Sequence, residues 1–201
     1  MSRFFLVRHG ETIYHEGNRY AGSSDIPLTP KGEQQAQTLA AWASHQHLTH
    51  LYASNLSRAI ATAQPTAQLT GLELHVDPRL REICFGRAEG LTDAQQQAQF
   101  PEARAAFLAD PAANFLPEGE PPVEAAHRAR TVLTELSTLH GPDARILVVA
   151  HNTLIRLLLC DLLGIALSRY RTVFPSLRNT AVTEIKLTPE TFSLLSFNTP
   201  L

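Results

Sequence analysis

The chain has 201 residues, a length that fits one large domain better than two small ones. Its 17 Lys and Arg residues against 19 Asp and Glu residues leave a formal net charge of -2, and only 18% of the residues are charged. This balance argues against a general nucleic-acid binder, because such proteins neutralise many phosphates with a basic surface. Local binding of a single anion stays open.

The cysteines and the lengths of the apolar runs indicate the cellular compartment of the protein. Cys84 and Cys160 lie far apart, with no C-x-x-C pair, so neither a disulfide framework nor a zinc site is expected. Four consecutive apolar residues after Arg3 are too few for the core of a secretory signal. No run reaches the roughly 18 apolar residues of a membrane span. We therefore expect a soluble, cytoplasmic protein with no membrane partner.

Two short apolar runs, residues 4–7 and 146–150, have the character of strands buried on both faces of a parallel sheet. Between them, Thr29 and Pro30 begin an amphipathic helix. A strand is predicted over residues 51–53. A second helix should follow Ser57, although Pro65 is expected to kink or shorten it.

Residues 91–122 differ from the rest of the chain in composition, because prolines separate short segments with helical character. We interpret them as an insertion over one sheet edge. Helical spacing returns from Val123 and ends at Gly141, and a further helix is predicted from about Thr153 to Gly164. In the tail, residues 181–187 alternate as a strand does, with residues 192–197 as the hairpin partner.

Strands separated by helices, without an internal repeat, predict an α/β layer fold. We treat residues 1–201 as a single domain carrying the insertion at about 91–122. Both His9 and His151 then follow the carboxyl ends of parallel strands. Open α/β sheets bind their ligands at that edge.

The residues around these histidines suit an anionic ligand. Arg8 offers a forked donor, His9 a nucleophile or base, and Gly10 a close approach to the backbone. Arg58 stands at a helix start, where free N–H groups already favour an anion. Each residue also has a plainer interpretation: a histidine that caps a strand, a solvated arginine, or a buried and hydrogen-bonded histidine at position 151.

A loop-like segment at residues 80–90 adds carboxylates and glycines between helical stretches. One of its carboxylates is a candidate general acid, although a solvated loop carboxylate is the commoner case.

Over nearly its whole length the chain resembles the histidine phosphatase superfamily, also called the phosphoglycerate mutase-like family. The matching segments occur in the family's order. They are LVRHGET at 6–12, DIPLT at 25–29 with Gly32, SNLSRA at 54–59 with Thr62 and Ala63, LRE at 80–82 with Phe85, Gly86, Glu89 and Gly90, and VAH at 149–151 with Ile155 and Arg156. Each is weak alone, but five in register are specific.

The resemblance implies a three-layer α/β/α fold with a mostly parallel central sheet and a phosphatase that works through phosphohistidine. His9 would carry the phosphoryl group, Arg8, Arg58 and His151 would bind its oxygens, and Glu82 would protonate the leaving oxygen. The implied substrate is a small phosphorylated metabolite, with no metal or other cofactor. This mechanism needs a neutral His9 and is helped by a charged His151.

Some positions depart from the family's pattern and bear on substrate binding. His15 replaces a common phosphate-contacting asparagine, and Asn152 replaces a glycine. We expect His15, Gly22, Ser23 and Asn152 to contact the substrate, with Ser23 or Ser24 supplying a hydroxyl. For His15 a plain surface role is an equal alternative, and for the serines a simple turn role is the stronger one.

The modest length and the proline-broken insertion favour the phosphatase branch over the mutases, which keep water from their intermediate. Arg104 is a possible second anion contact, or a solvated residue.

Two alternatives to a phosphatase are a bisphosphoglycerate-dependent phosphoglycerate mutase and a phosphate-binding domain without turnover. A metal protein built on His45, His47 and His50 is a weaker hypothesis, and a serine hydrolase is disfavoured because the turn at Ser23 lacks a second glycine.

Overall fold

A single six-stranded sheet organises the protein, and the computed structural model describes residues 1–15 and 17–201 of it. The strand order is β3-β2-β4-β1-β5-β6. The first four strands in this order run parallel, whereas β5 pairs antiparallel with both of its neighbours, β1 and β6. The predicted mostly parallel sheet is therefore confirmed. The strands are β1 (Ser2–Arg8), β2 (His50–Ala53), β3 (Leu74–Val76), β4 (Arg145–Ala150), β5 (Val182–Leu187) and β6 (Phe192–Thr199).

Helices connect the strands. Thr29 caps the first of them by accepting a hydrogen bond from the Gly32 N–H at 3.1 Å, as its sequence predicts. Within the described part of the chain, no helix has the length and apolar character needed to cross a membrane. The helices are α1 (Pro30–Ala43), α2 (Ser57–Thr70), α3 (Asp93–Gln99), α4 (Pro101–Ala109), α5 (Pro122–His140), α6 (Asn152–Leu162) and α7 (Tyr170–Val173).

The pleat of β1 divides the core into two layers. Phe4 and Leu6 point to one face, where they pack with residues of α5 and α6. Phe5 and Val7 point to the other face, where they pack with residues of α1 and α2. Because a strand buried on both faces needs a helix layer on each, this packing confirms the three-layer arrangement.

The helix α2 continues through Pro65 to Thr70, so Pro65 does not shorten it, which was one of the two effects expected of this proline. Proline removes one helical hydrogen bond and crowds the preceding turn. Ala59 and Ala63 are nevertheless fully buried against the sheet, and that packing holds the helix together. The helix ends instead at Gly71, whose φ of 72° gives the left-handed C-cap.

Residues 91–122 contain the short helices α3 and α4, as predicted, followed by an irregular segment. Phe107 and Leu116 form a small apolar cluster there with Ala88, and Tyr20 and Phe85 pack against it. The segment therefore lies against the loops that follow β1 and β3, beyond the carboxyl ends of the strands.

Candidate active site

Adjacent parallel strands bring the two predicted histidines together. Arg8 at the end of β1 pairs with Ala150 at the end of β4, so the next residues, His9 and His151, leave the sheet side by side. Their ring centroids are 5.2 Å apart. His9 is only 4% exposed and His151 is fully buried. The shared register of two strands thus creates the centre of the site.

Hydrogen bonds assign the protons of the His9 ring. Its Nδ1 lies 2.7 Å from the Gly10 carbonyl, which can only accept, so Nδ1 carries the proton. The lone pair is then on Nε2, and the Arg58 Nε donates to it at 3.2 Å. Burial, followed by the charges of Arg58 and Arg8, holds the pKa of His9 well below its usual value. His9 is therefore a neutral imidazole whose Nε2 is unprotonated and accepts a hydrogen bond from Arg58.

Arg58 is fully buried in the first turn of α2, and backbone oxygens fix its guanidinium. It donates to the Gly22 carbonyl at 2.6 Å and to the Ser24 carbonyl at 2.7 Å. These two bonds leave its Nε directed at His9. The turn at residues 22–24, which lies far from Arg58 in the sequence, therefore orients the Arg58 guanidinium.

Glu89 holds that turn in place. Its carboxylate accepts hydrogen bonds from the backbone N–H groups of Ser23 at 2.8 Å, Ser24 at 2.7 Å and Phe85 at 3.0 Å. At Gly22 the backbone has a φ of 46°, and a Cβ there would lie 2.0 Å from Glu89 Oε1. Glycine is required at this position, because any side chain would displace the carboxylate that orders the turn.

Arg8 is oriented by two contacts. Its Nη1 donates to the Leu177 carbonyl, and its Nη2 donates to His15 Nε2, both at 2.6 Å. His15 Nε2 is the acceptor there, because an arginine nitrogen can only donate, and the other ring nitrogen, Nδ1, lies 3.0 Å from both the N–H and the Oγ1 of Thr12 and 3.2 Å from its carbonyl. The structure thus places His15 beside Arg8, as a group that positions the arginine.

Glu82 joins the loop after β3 to the first turn of α6. Its Oε1 accepts from the N–H groups of Ile83 and Leu154, and its Oε2 accepts from the N–H of Thr153, each at 2.9 Å. The side chain is 5% exposed. A carboxylate at this position also complements the positive end of the helix.

His151 has no hydrogen-bond partner at either ring nitrogen among the described residues. Burial, then Arg58 and His9, keep the pKa of His151 well below its usual value, so the ring is neutral. This differs from the expected imidazolium. The cause is its position among cations in a dry environment, and the negative charge of a bound phosphate would favour the protonated ring.

These side chains surround a cavity of about 450 Å³. Two predicted residues lie outside its wall: His151, buried behind His9, and Ser23, whose backbone N–H and hydroxyl both donate to Glu89 Oε1. The remaining predicted residues form part of the wall. They are Arg8, His9, His15, Gly22, Arg58, Glu82 and Asn152.

The cavity also contains residues that sequence reasoning missed. Arg156 of α6 and the pair Tyr170 and Arg171 of α7 line its outer part. Arg156 gave one signal, since it interrupts an otherwise apolar helix. Arg104, a possible second anion contact from the sequence, does not line the cavity, and it pairs with Asp93 at 2.9 Å.

The weaker metal hypothesis finds no support in the geometry. Over residues 1–15 and 17–201, no group of three or more metal-ligating side chains is arranged to hold an ion. His50 instead stacks on His140, with ring centroids 3.6 Å apart.

Comparison with known proteins identifies the family. The model of the histidine phosphatase superfamily (branch 1) matches residues 4–200. The chain is 33% identical over 185 residues to the probable phosphoglycerate mutase GpmB of Erwinia tasmaniensis, which covers 92% of this chain and 85% of that protein. It is 31% identical over 198 residues to the putative phosphoserine phosphatase 2 of Hydrogenobacter thermophilus, with 98% and 96% covered.

A solved structure agrees with these relatives. The complex of mycobacterial glucosyl-3-phosphoglycerate phosphatase with VO3 superposes with a TM-score of 0.89 and 31% identity, over 99% of this chain and 100% of that one. The family match, the relatives and the geometry of the two histidines lead to one conclusion: the chain belongs to the histidine phosphatase superfamily.

Proposed function

We propose that this protein is a phosphomonoesterase that hydrolyses a small phosphorylated metabolite through a phosphohistidine on His9. The observation that carries the proposal is the neutral His9 ring in the cavity wall, whose unprotonated Nε2 accepts a hydrogen bond from Arg58. Named phosphatases among the relatives support the same reaction class.

In the first step, Nε2 of His9 bonds to phosphorus while the bond between phosphorus and the ester oxygen breaks. Glu82, in the cavity wall, supplies the proton that the leaving oxygen takes up. In the second step, water attacks phosphorus and gives a proton to Glu82 while the bond between phosphorus and His9 Nε2 breaks, which returns the lone pair to Nε2 and releases inorganic phosphate. The same carboxyl group therefore returns to its starting state after each cycle.

Positive charge for both steps comes from the chain itself. Arg8 and Arg58 line the cavity, and His151 lies directly beside His9. Fixed cations stabilise the charge that develops on the phosphoryl oxygens and need no rearrangement during the reaction. We propose that these groups fill the role of Mg²⁺ in other phosphoryl-transfer enzymes, so that activity persists in a strong chelator.

Substitution His9→Ala tests the proposal. We expect it to lower hydrolysis of an aryl phosphate by about 10³-fold or more and to abolish the phosphoenzyme detected by mass spectrometry after acid-free quenching. His45→Ala, which removes an exposed histidine in the turn after α1, is the matched control. A His9→Ala variant that keeps most of its turnover would contradict the phosphohistidine mechanism.

A second candidate is phosphoglycerate mutase activity, favoured by the relatives named as probable mutases. Asn18, Arg19 and Arg171 are exposed at the rim of the cavity, so water can reach a phosphohistidine there. Hydrolysis is therefore the better-supported reaction. Measuring phosphate release beside conversion of 3-phosphoglycerate, primed with bisphosphoglycerate, separates the two, since mutase turnover above hydrolysis would reverse this choice.

A further inference from the structure

We infer that the cavity holds a second anion subsite, formed by Arg156 and Arg171 beside the ring of Tyr170. This subsite binds a carboxylate or a second phosphate carried by the alcohol part of the substrate. The inference rests on the proposed function, because it assigns the substrate class of the same site.

Arg156 is a buried cation whose charge no described residue neutralises. It is 6% exposed, and its Nε has no hydrogen-bond partner in the part of the chain that the structure describes. Its Nη2 has only long contacts, at 3.5 Å to the Tyr170 carbonyl and 3.3 Å to the Pro175 carbonyl. A guanidinium has five N–H donors, so this one keeps unused donors in the cavity wall.

Two poorly exposed arginines outside the cavity wall are paired with carboxylates, whereas Arg8 and Arg58, which line the wall, have no such pair among the described residues. Arg128 binds Glu120 at 2.7 Å, and Arg104 binds Asp93 at 2.9 Å. Buried charges are ordinarily paired in this way, because desolvation of a lone ion is costly. Arg156 departs from this rule at the wall of a cavity, which indicates that its counter-ion comes from the ligand.

Arg171 places a second cation next to Arg156. Burial lowers the pKa of Arg156, the nearby Tyr170 opposes this shift, and the charge of Arg171 adds to it. The guanidinium of Arg156 lies over the Tyr170 ring, 4.8 Å from its centroid, and that of Arg171 lies 5.5 Å from the Phe107 centroid. Each guanidinium therefore rests on an aromatic ring while both line the same cavity wall, and an anion bound there would offset the repulsion between the two like charges.

The cavity wall contains more positive charge than is needed to neutralise one phosphoryl group. Its described residues include five arginines but only the carboxylates Glu82 and Asp93. Glu82 is occupied by three backbone N–H groups, and Asp93 pairs with Arg104. Arg19 donates to the Gly90 carbonyl and to the Gln95 side chain. If Arg8 and Arg58 match a phosphoryl dianion, then Arg156 and Arg171 are left for a second negative group.

The test compares substrates that differ only in the second charge. We would measure kcat/KM for 3-phosphoglycerate, for glycerol 1,3-bisphosphate and for glycerol 3-phosphate, which lacks the second anion. We expect the wild-type protein to prefer a doubly anionic substrate by about tenfold or more, the effect of one well-placed charged hydrogen bond. The larger of the two preferences identifies the second anion as carboxylate or phosphate.

Substitution Arg156→Met and, separately, Arg171→Met should each reduce that preference about fivefold or more. Arg169→Met, an exposed arginine outside the cavity wall, is the control for loss of one positive charge. Arg171 is also exposed, so its variant decides the question if Arg156→Met does not fold. Preferences that stay unchanged in the folded variants would show that Arg156 only ties α6 to α7 and would overturn the subsite.

Binding separates failure of the subsite from failure of the proposed function. If the protein releases no phosphate even from an aryl phosphate, the proposed function fails, and the same comparison is made by calorimetry with 3-phosphoglycerate and glycerol 3-phosphate. Tighter binding of 3-phosphoglycerate that weakens in the Arg171→Met variant supports the subsite. Equal binding of the two compounds overturns it.

Discussion

His15 controls Arg8 through a hydrogen bond that only the neutral imidazole can accept. Burial, followed by the charge of Arg8, lowers the pKa of His15, so the ring stays neutral below its usual titration range. We expect His15→Asn to keep an acceptor near Arg8, and His15→Leu to raise KM about tenfold by releasing the guanidinium. Steady-state kinetics between about pH 5 and pH 8 measure this, and identical profiles for wild type and His15→Leu would contradict a positioning role.

Glu82 carries a structural task and a proposed chemical one. In Glu82→Gln the amide would turn one NH₂ toward a backbone N–H of the first turn of α6, so we expect a loss of about 1–3 kcal/mol in the free energy of unfolding. The variant should also let phosphoenzyme accumulate or slow its formation, as rapid-quench measurements would show. Glu124→Gln, exposed in α5, is the control, and unchanged kinetics in Glu82→Gln would remove Glu82 from the mechanism.

The local sequence pattern predicted the site residues that lie at strand ends and helix starts. Arg8, His9 and Arg58 stand at such positions, and the structure places all three around one cavity. Ser23 and Arg156 were harder, because their partners lie far along the chain. The Ser23 hydroxyl donates a hydrogen bond to Glu89. Arg156 donates to the Tyr170 carbonyl, which lies in the segment after α6. No local spacing of residues signals either contact.

At the scale of elements, α5 fixes the loop that carries Glu82. Arg128 of α5 donates to the carbonyls of Arg79 at 2.5 Å and Arg81 at 2.7 Å, and its other nitrogens bind Glu120. One half-buried guanidinium therefore connects a helix, a loop and the segment before the helix. We regard Arg128 as a positioning residue for Glu82.

Substitution Arg128→Ala tests that connection. We expect kcat to fall about tenfold or more while KM changes less, because the loop that presents Glu82 loses its anchor. Arg128→Lys should recover only part of the activity, since an ammonium cannot span the same acceptors. Arg130→Ala, on the exposed face of the same helix, is the control. A parallel loss of kcat and thermal stability without any split between kcat and KM would indicate a purely structural role.

The elements that sequence predicts best are those with long regular burial. Strands β1 and β4 and the helices α1 and α5 follow directly from apolar periodicity. The three-residue strand β3 was not predicted, because so short a segment gives no alternation to read. The course of α2 depended on tertiary packing, which outweighed the local effect of Pro65.

For the molecule as a whole, buried neutral histidines make stability depend on pH. Burial is the first cause that lowers the pKa of His9, His15, His50, His140 and His151. As the pH falls through about 6.5, the unfolded chain takes up protons that the folded chain refuses, so the folded state loses stability. The carboxylates with lowered pKa values, such as Glu89, affect the stability of the folded state only at lower pH.

We therefore expect the free energy of unfolding to fall by about 1 kcal/mol or more between pH 7 and pH 5. Urea denaturation at constant ionic strength measures the change. Phosphate or vanadate should restore part of the loss, because a bound anion stabilises protonated His151 and the folded state together. Stability that rises on acidification over this range would contradict the neutral state assigned to the buried histidines.

The excess of arginines in the cavity wall bears on how the catalytic cycle ends. Inorganic phosphate presents to Arg8 and Arg58 the same oxygens as the substrate does, and these side chains line a cavity with few free carboxylates among its described residues. Coulomb attraction that speeds substrate capture therefore also slows the escape of the product. We expect phosphate to compete with substrate and its departure to limit turnover, so that added salt, by screening the charges, accelerates kcat while it weakens kcat/KM.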